Sequence, residues 1–189
     1  MSIFNHLLNR ALAHVQRFNN RPQHFPESVA EHSFYVAYFT QILCWFLEKE
    51  KVKVDTKKAV QMALLHDQEE GFSGDILNPF KHFNEKVASA IREVNKETIE
   101  MMFEELPADL KKDFINLWNE EQERKSIESE LVKVADSLQL ITKCFEEMEA
   151  GNSYFEEIYK RELTNLNNLD FAWWQRIRPQ VLAGAAKEV

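Results

Sequence analysis

Glycine and proline are scarce in this chain of 189 residues, which holds four Gly and five Pro. That shortage argues against a turn-rich β-sandwich and for long uninterrupted helices. Cysteine is scarcer still. Cys44 and Cys144 cannot build a disulfide framework, and no Cys-x-x-Cys occurs to make a zinc ribbon. Both sit among apolar neighbours, as buried free thiols of a reducing compartment do. No apolar run approaches the ~20 residues that a membrane span requires. The N-terminus lacks the charged, apolar and small-residue succession of a secretory signal. The expectation is a cytoplasmic protein with no membrane attachment. Positive charge is in deficit too: 23 Lys and Arg face 31 Asp and Glu, a net charge of −8. Such a field repels nucleic-acid polymers and anionic membranes. An anionic substrate would need local positive charge, from a metal or from placed Arg and Lys.

Apolar residues make up 44% of the chain, enough to bury a core. Their spacing is helical. Ile3, Phe4, Leu7, Leu8, Ala11, Leu12, Val15 and Phe18 predict an amphipathic first helix. Ser28-Val-Ala-Glu31 is a capping box that starts a second, running to about residue 50. Asp55 or Thr56 caps a third reaching about residue 70, after which Gly71, Gly74 and Pro79 keep the chain irregular to about residue 83. Further helices are predicted over 84–103, from Pro107, from Ser126 to the Ala150-Gly151 stop, and over 153–169. A short last helix should stop before Pro179. No strand-like alternation persists. The expected fold is all-α: one domain over 1–189, a bundle of about seven to eight helices, with its core at about 1–169 and a short helical tail at 170–189.

Three places could carry chemistry. His66-Asp67 is an ordinary pair by itself, but on the third helix Ala59, Ala63, His66, Asp67 and Glu70 share one arc. Asp67 and Glu70 are i, i+3, and His66 and Glu70 are i, i+4. His32 lies on the apolar stripe of the second helix with Val29, Val36, Phe39 and Leu43, and so points inward. A lone inward His is usually a hydrogen-bonded core residue; Asp136 changes that reading. It stands opposite the main stripe of its helix, yet Val132 and Leu140 flank it, so it reads as buried. A buried carboxylate needs a cation or hydrogen bonds. Two inward histidines and two carboxylates on three helices are coherent as ligands of one shared divalent metal with positions left for water and substrate.

The series His32, His66-Asp67, Asp136 resembles the His…His-Asp…Asp signature of the HD-domain metal-dependent phosphohydrolases. Three stretches narrow the likeness to the HD-domain 5′-deoxynucleotidases: Glu27-Ser-Val-Ala-Glu-His-Ser33; Leu64-Leu-His-Asp-Gln-Glu-Glu70 with Gly74-Asp-Ile-Leu-Asn-Pro-Phe-Lys81; and Leu131-Val-Lys-Val-Ala-Asp136. The resemblance implies an all-helical HD fold and hydrolysis of deoxyribonucleoside 5′-monophosphates to deoxynucleoside and phosphate. It implies one divalent cation (Co, Mn, Zn, Fe, Mg or Ni) on His32, His66, Asp67 and Asp136. Glu70 matches the family's catalytic Glu, Arg17 the phosphate-holding arginine, Asp75 an acidic residue near the sugar, and Lys81 the loop lysine. Phe18 stands where Trp is common and Leu77 where Pro is expected, and Glu69 adds a charge beside Glu70 while pointing ~100° away from it. A homodimer is also implied.

Other hydrolases of the same fold, acting on nucleoside triphosphates, guanosine tetraphosphate or cyclic nucleotides, are the nearest alternatives, with the di-iron oxygenases and a non-catalytic module beyond them. Dinuclear sites recruit histidines between the His-Asp pair and the last Asp. This chain has only His82 there, which favours one metal.

Overall fold

Polar caps decide where four of the longer helices begin. In this computed structural model, which describes residues 3–185, Ser28 accepts from the Glu31 amide, and Glu31 returns a bond to the Ser28 amide, closing a reciprocal box that starts α2 (Val29–Lys49). Asp55 caps α3 (Thr56–Leu65), Asn84 caps α6 (Glu85–Met102), and Ser126 caps α8 (Ile127–Glu149). Helix α7 (Ala108–Glu123) starts after Pro107, and α9 (Glu156–Asn168) follows a 3₁₀ turn at Ser153–Phe155. Short helices α1 (Ile3–Leu7), α4 (Glu70–Ser73) and α5 (Asn78–Lys81), with α10 (Ala172–Val181), complete an all-helical architecture. Gly151, with φ +86°, ends α8 in a conformation that side chains disfavour. Among the described residues no helix is long and apolar enough to cross a membrane.

Helices α2, α3 and α8 form the centre. Their buried faces meet through Val36, Leu43 and Leu47 of α2, Ala59, Met62 and Ala63 of α3, and Leu131, Val134 and Ala135 of α8. Trp173, Trp174 and Ile177 of α10 enter the same core. A second, smaller cluster joins Leu65, Ile99, Phe103, Leu106 and Trp118.

Three expectations need correction. The first helix is not continuous: α1 stops at Leu7 and only a 3₁₀ turn at Ala11–Ala13 follows. The Asn9 side chain takes the Ala11 amide, and residues 15–17 leave helical geometry to pair with 27–29, through Val29 N–H to Val15 O at 2.9 Å and Arg17 N–H to Glu27 O at 2.9 Å. The third helix ends at Leu65, not near residue 70. His66 Nδ1 and Gln68 Nε2 bond the carbonyls of Ala63 and Leu64, and the backbone tightens into i→i+3 bonds from Leu65 to Gln68 and from Asp67 to Glu70. The last helix continues through Pro179, which falls in its final turn, while Trp174 and Ile177 hold that helix in the core. The end of the expected 170–189 tail, from residue 186, lies outside the described residues.

Candidate metal centre

His32 sits in the first turn of α2, immediately after the capping box, and is fully buried. His66 closes α3, and Asp67 follows in the tight turn. From the opposite side α8 brings Asp136. His32 Nε2 lies 3.2 Å from His66 Nε2, 3.3 Å from Asp67 Oδ2 and 3.5 Å from Asp136 Oδ1, and His66 Nε2 lies 3.1 Å from Asp67 Oδ2. His32, His66 and Asp67 thus offer one donor atom each within 4.8 Å of one another, with Asp136 at the rim. Asp136 is less buried than expected: its side chain is 30% exposed, and Lys133 Nζ meets its Oδ2 at 3.2 Å.

The partners of the outer ring nitrogens fix which way the imidazoles work. His66 Nδ1 donates to the Ala63 carbonyl at 2.8 Å. His32 Nδ1 lies 2.7 Å from Gln139 Oε1, whose orientation is set because its Nε2 donates to Glu27 while Oε1 also accepts from Arg17 at 2.9 Å. Both Nδ1 atoms therefore carry protons, and in the neutral rings both Nε2 lone pairs face each other and two carboxylates. Only a cation or an added proton relieves that arrangement, so the donor set fits a divalent metal with its ring nitrogens oriented from behind. Burial works against charge on His66, yet Asp67 and Asp136 push its pKa up to about 10. Burial likewise opposes charge on Asp67, but the two histidines hold it well below the usual carboxylate range. The pocket favours positive charge at its centre.

Around this centre stand the remaining predicted residues. Arg17 Nη1 donates to Glu27 Oε2 at 2.8 Å and to Gln139, leaving Nε and Nη2 without partners among the described residues; Asp67 and Asp136 lie close enough to support its charge. Phe18 adopts φ +53°, a strained conformation for a bulky residue, with its amide bonded to Asp75 Oδ2 at 3.1 Å and its ring edge-on to Phe155. Burial first, then Asp67 and Asp75, push the Glu70 carboxyl up to about 9, while Lys81 pulls it back. Glu69 does turn away from Glu70, but into the second core. It is 2% exposed and accepts from Trp118 Nε1 at 2.9 Å and Asn95 Nδ2 at 3.3 Å. His82 only ends α5 and does not join the cluster.

Glu27 and Gln139 were not singled out as functional from the sequence, although Gln139 stands three residues beyond Asp136 and Glu27 opens the capped segment. Their roles depend on Arg17, brought to them by chain pairing that leaves no periodic trace. Glu121 was missed as well; it is 6% exposed on α7 and lies near His66.

A model of the family described as 5′-deoxynucleotidase YfbR-like matches residues 3–176. A 5′-deoxynucleotidase of Photorhabdus temperata is 33% identical over 130 residues, covering 68% of this chain and 66% of that relative, just under two thirds of its length. Among solved structures, a conserved hypothetical protein from Pyrococcus furiosus superposes with a TM-score of 0.77 at 27% identity, covering 96% of this chain and 99% of that one. An HD-domain phosphohydrolase from Listeria innocua gives a TM-score of 0.80 at 24% identity, with 97% and 90% covered, and shares the fold.

Proposed function

The chain belongs to the YfbR-like 5′-deoxynucleotidase family, and from that membership we propose that it is a metal-dependent phosphomonoester hydrolase converting deoxyribonucleoside 5′-monophosphates to deoxynucleoside and phosphate. The observation that carries the reading is the meeting of two inward-facing Nε2 atoms with Asp67 and Asp136 beside an arginine whose outer edge is free.

His32, His66, Asp67 and Asp136 would hold one divalent cation, with cobalt, manganese, zinc, iron, magnesium and nickel as the candidates. Such a cation supplies Lewis-acid charge to phosphoryl oxygens and lowers the pKa of water. Arg17 donates from Nε and Nη2 to a non-bridging phosphate oxygen, held in place by Glu27 and Gln139. Glu70 would take the proton of the attacking water; the step needs its ionised form, which burial, Asp67 and Asp75 oppose, which Lys81 favours, and which the charge of a bound cation would restore. Asp75 fixes the Phe18 backbone, and the two border the sugar. Phe18, smaller than Trp, loosens the packing there and with it the discrimination against a 2′-hydroxyl.

The reading extends to a cytoplasmic homodimer. Buried free thiols at Cys44 and Cys144 suit a reducing compartment, and Phe34, Tyr35, Tyr38, Ile42 and Trp45 form an exposed apolar stripe along α2 for a second copy. Phosphate release from a panel of 5′-monophosphates tests the activity. Deoxyribonucleotides should be cleaved faster than ribonucleotides. Cleavage confined to triphosphates or cyclic nucleotides would assign the chain to another hydrolase class of the fold.

A further inference from the structure

The peptide group between Arg17 and Phe18 is gripped from both sides. Its N–H donates to Asp75 Oδ2 at 3.1 Å, and its carbonyl accepts from Gln23 Nε2 at 2.8 Å. Gln23 Nε2 also lies 3.3 Å from the Phe18 carbonyl, which already takes the Arg21 amide at 2.9 Å. Two carbonyls at one end of the side chain identify that end as the nitrogen. The other end, Oε1, is buried and has no hydrogen-bond partner among the described residues. A buried acceptor left unpaired is costly, so the donor end is what this position exploits. Gln23 is itself held on both flanks. The Pro22 carbonyl accepts from Asn152 Nδ2, and the His24 and Phe25 amides donate to Glu147, each at 2.9 Å.

We propose that Gln23 is a positioning residue for Arg17, acting through the backbone to keep the guanidinium aimed at the phosphate. The inference rests on the nucleotidase reading, in which Arg17 holds that phosphate. A peptide plane is rigid, so fixing its N–H and its carbonyl fixes its rotation, which sets ψ of Arg17 and φ of Phe18 together. Phe18 stands at φ +53°, where a bulky side chain is disfavoured, and in that conformation its ring lies 5.3 Å from Arg17 Cζ. Without the Gln23 bond the plane turns to relieve φ of Phe18. The same turn changes ψ of Arg17 and carries the guanidinium away from the ring and from its place beside the centre.

Gln23→Met keeps the length of the side chain and removes the donor, and a double-mutant cycle with Arg17→Ala tests the route. With the metal-loaded protein, Gln23→Met should raise KM for a deoxyribonucleoside 5′-monophosphate by about 3–30-fold. Added to Arg17→Ala, it should change KM by less than about twofold, because the residue it positions is gone. Amide hydrogen exchange reads the lock without turnover: exchange at Phe18 should quicken in Gln23→Met while exchange along α8 stays as in the wild type. An unchanged KM, an equal rise in both backgrounds, or Phe18 exchange no faster than in the wild type would overturn the proposal and leave the nucleotidase reading intact. Loss of helical circular dichroism in Gln23→Met would overturn it too, by assigning the bond to the fold. Absence of phosphate release from the wild-type protein would instead bring down the nucleotidase reading, and with it the role of Arg17 that Gln23 serves.

Discussion

Gln139 and Glu69 show how much of this site depends on side chains outside the candidate ligand set. Gln139 holds the outer nitrogen of His32 and one arm of Arg17 through a single oxygen. Gln139→Leu should therefore weaken metal binding by about 10–100-fold, the usual effect of removing the partner of a ligating histidine, and raise KM through the released Arg17. Titration calorimetry with metal, alongside steady-state kinetics, checks both effects; unchanged metal affinity would show that His32 is oriented by something else. Glu69 and Glu70 are neighbours with opposite assignments. Glu70→Gln should keep the metal and the fold while kcat falls about 10²–10⁴-fold. Glu69→Ala leaves Trp118 Nε1 and Asn95 Nδ2 buried without an acceptor, a cost of about 1–3 kcal/mol in stability. Its signature is a lowered melting temperature with metal stoichiometry retained. If Glu69→Ala removes turnover without lowering stability while Glu70→Gln is neutral, the two roles are exchanged.

At the scale of elements, the segments that carry their own signals were legible in the sequence. The Ser28 capping box, Asp55 or Thr56, and Ser126 marked three helix starts and a fourth was placed at residue 84; His32, His66, Asp67 and Asp136 were read together as one ligand set, although His66 and Asp67 fall in the turn beyond α3 and Asp136 is 30% exposed. The N-terminal segment was misread because its apolar spacing is helical, while its geometry is decided by a distant pairing of residues 15–17 with 27–29. The Glu27–Gln139–Arg17 network was illegible for the same reason. Another long-range clamp holds the adjoining loop. Glu147, fully buried, accepts from the amides of His24 and Phe25, from Asn152 and from Lys143, which also donates to the Phe25 carbonyl. Burial opposes its charge, but these donors outweigh it and hold the pKa down at about 2, against 4.5 ordinarily. A depressed carboxyl stabilises the fold fully above its unfolded pKa and loses that contribution as pH falls from about 4.5 toward 2. The shift corresponds to about 3 kcal/mol. Thermal melts of the wild type and Glu147→Gln should differ at pH 7 and converge as the pH is lowered through that window; a constant gap would rule out the clamp as the cause.

For the whole molecule, the acidic field and the proposed anionic substrate are reconciled by local charge: Arg17 and Lys81 stand within a net charge of −8, beside a centre that would hold a cation. The aromatic stripe on α2 bears on assembly. Trp45, 51% exposed, with Lys49 over its ring at 5.2 Å, lies away from the buried face of its helix. Trp45→Glu should shift light-scattering mass from dimer toward monomer while circular dichroism is retained; a wild-type monomer would remove the dimer from the account. The central claim is that four residues from α2, the His66-Asp67 turn and α8 hold one catalytic cation. Its most direct test is to strip the protein with a chelator and titrate a divalent metal back while following phosphate release from a deoxyribonucleoside 5′-monophosphate. The account predicts no release without metal, activity saturating at one equivalent per chain, and loss of both binding and release in Asp136→Asn. Full activity after stripping, or an Asp136→Asn variant that binds metal and turns over as the wild type does, would contradict it.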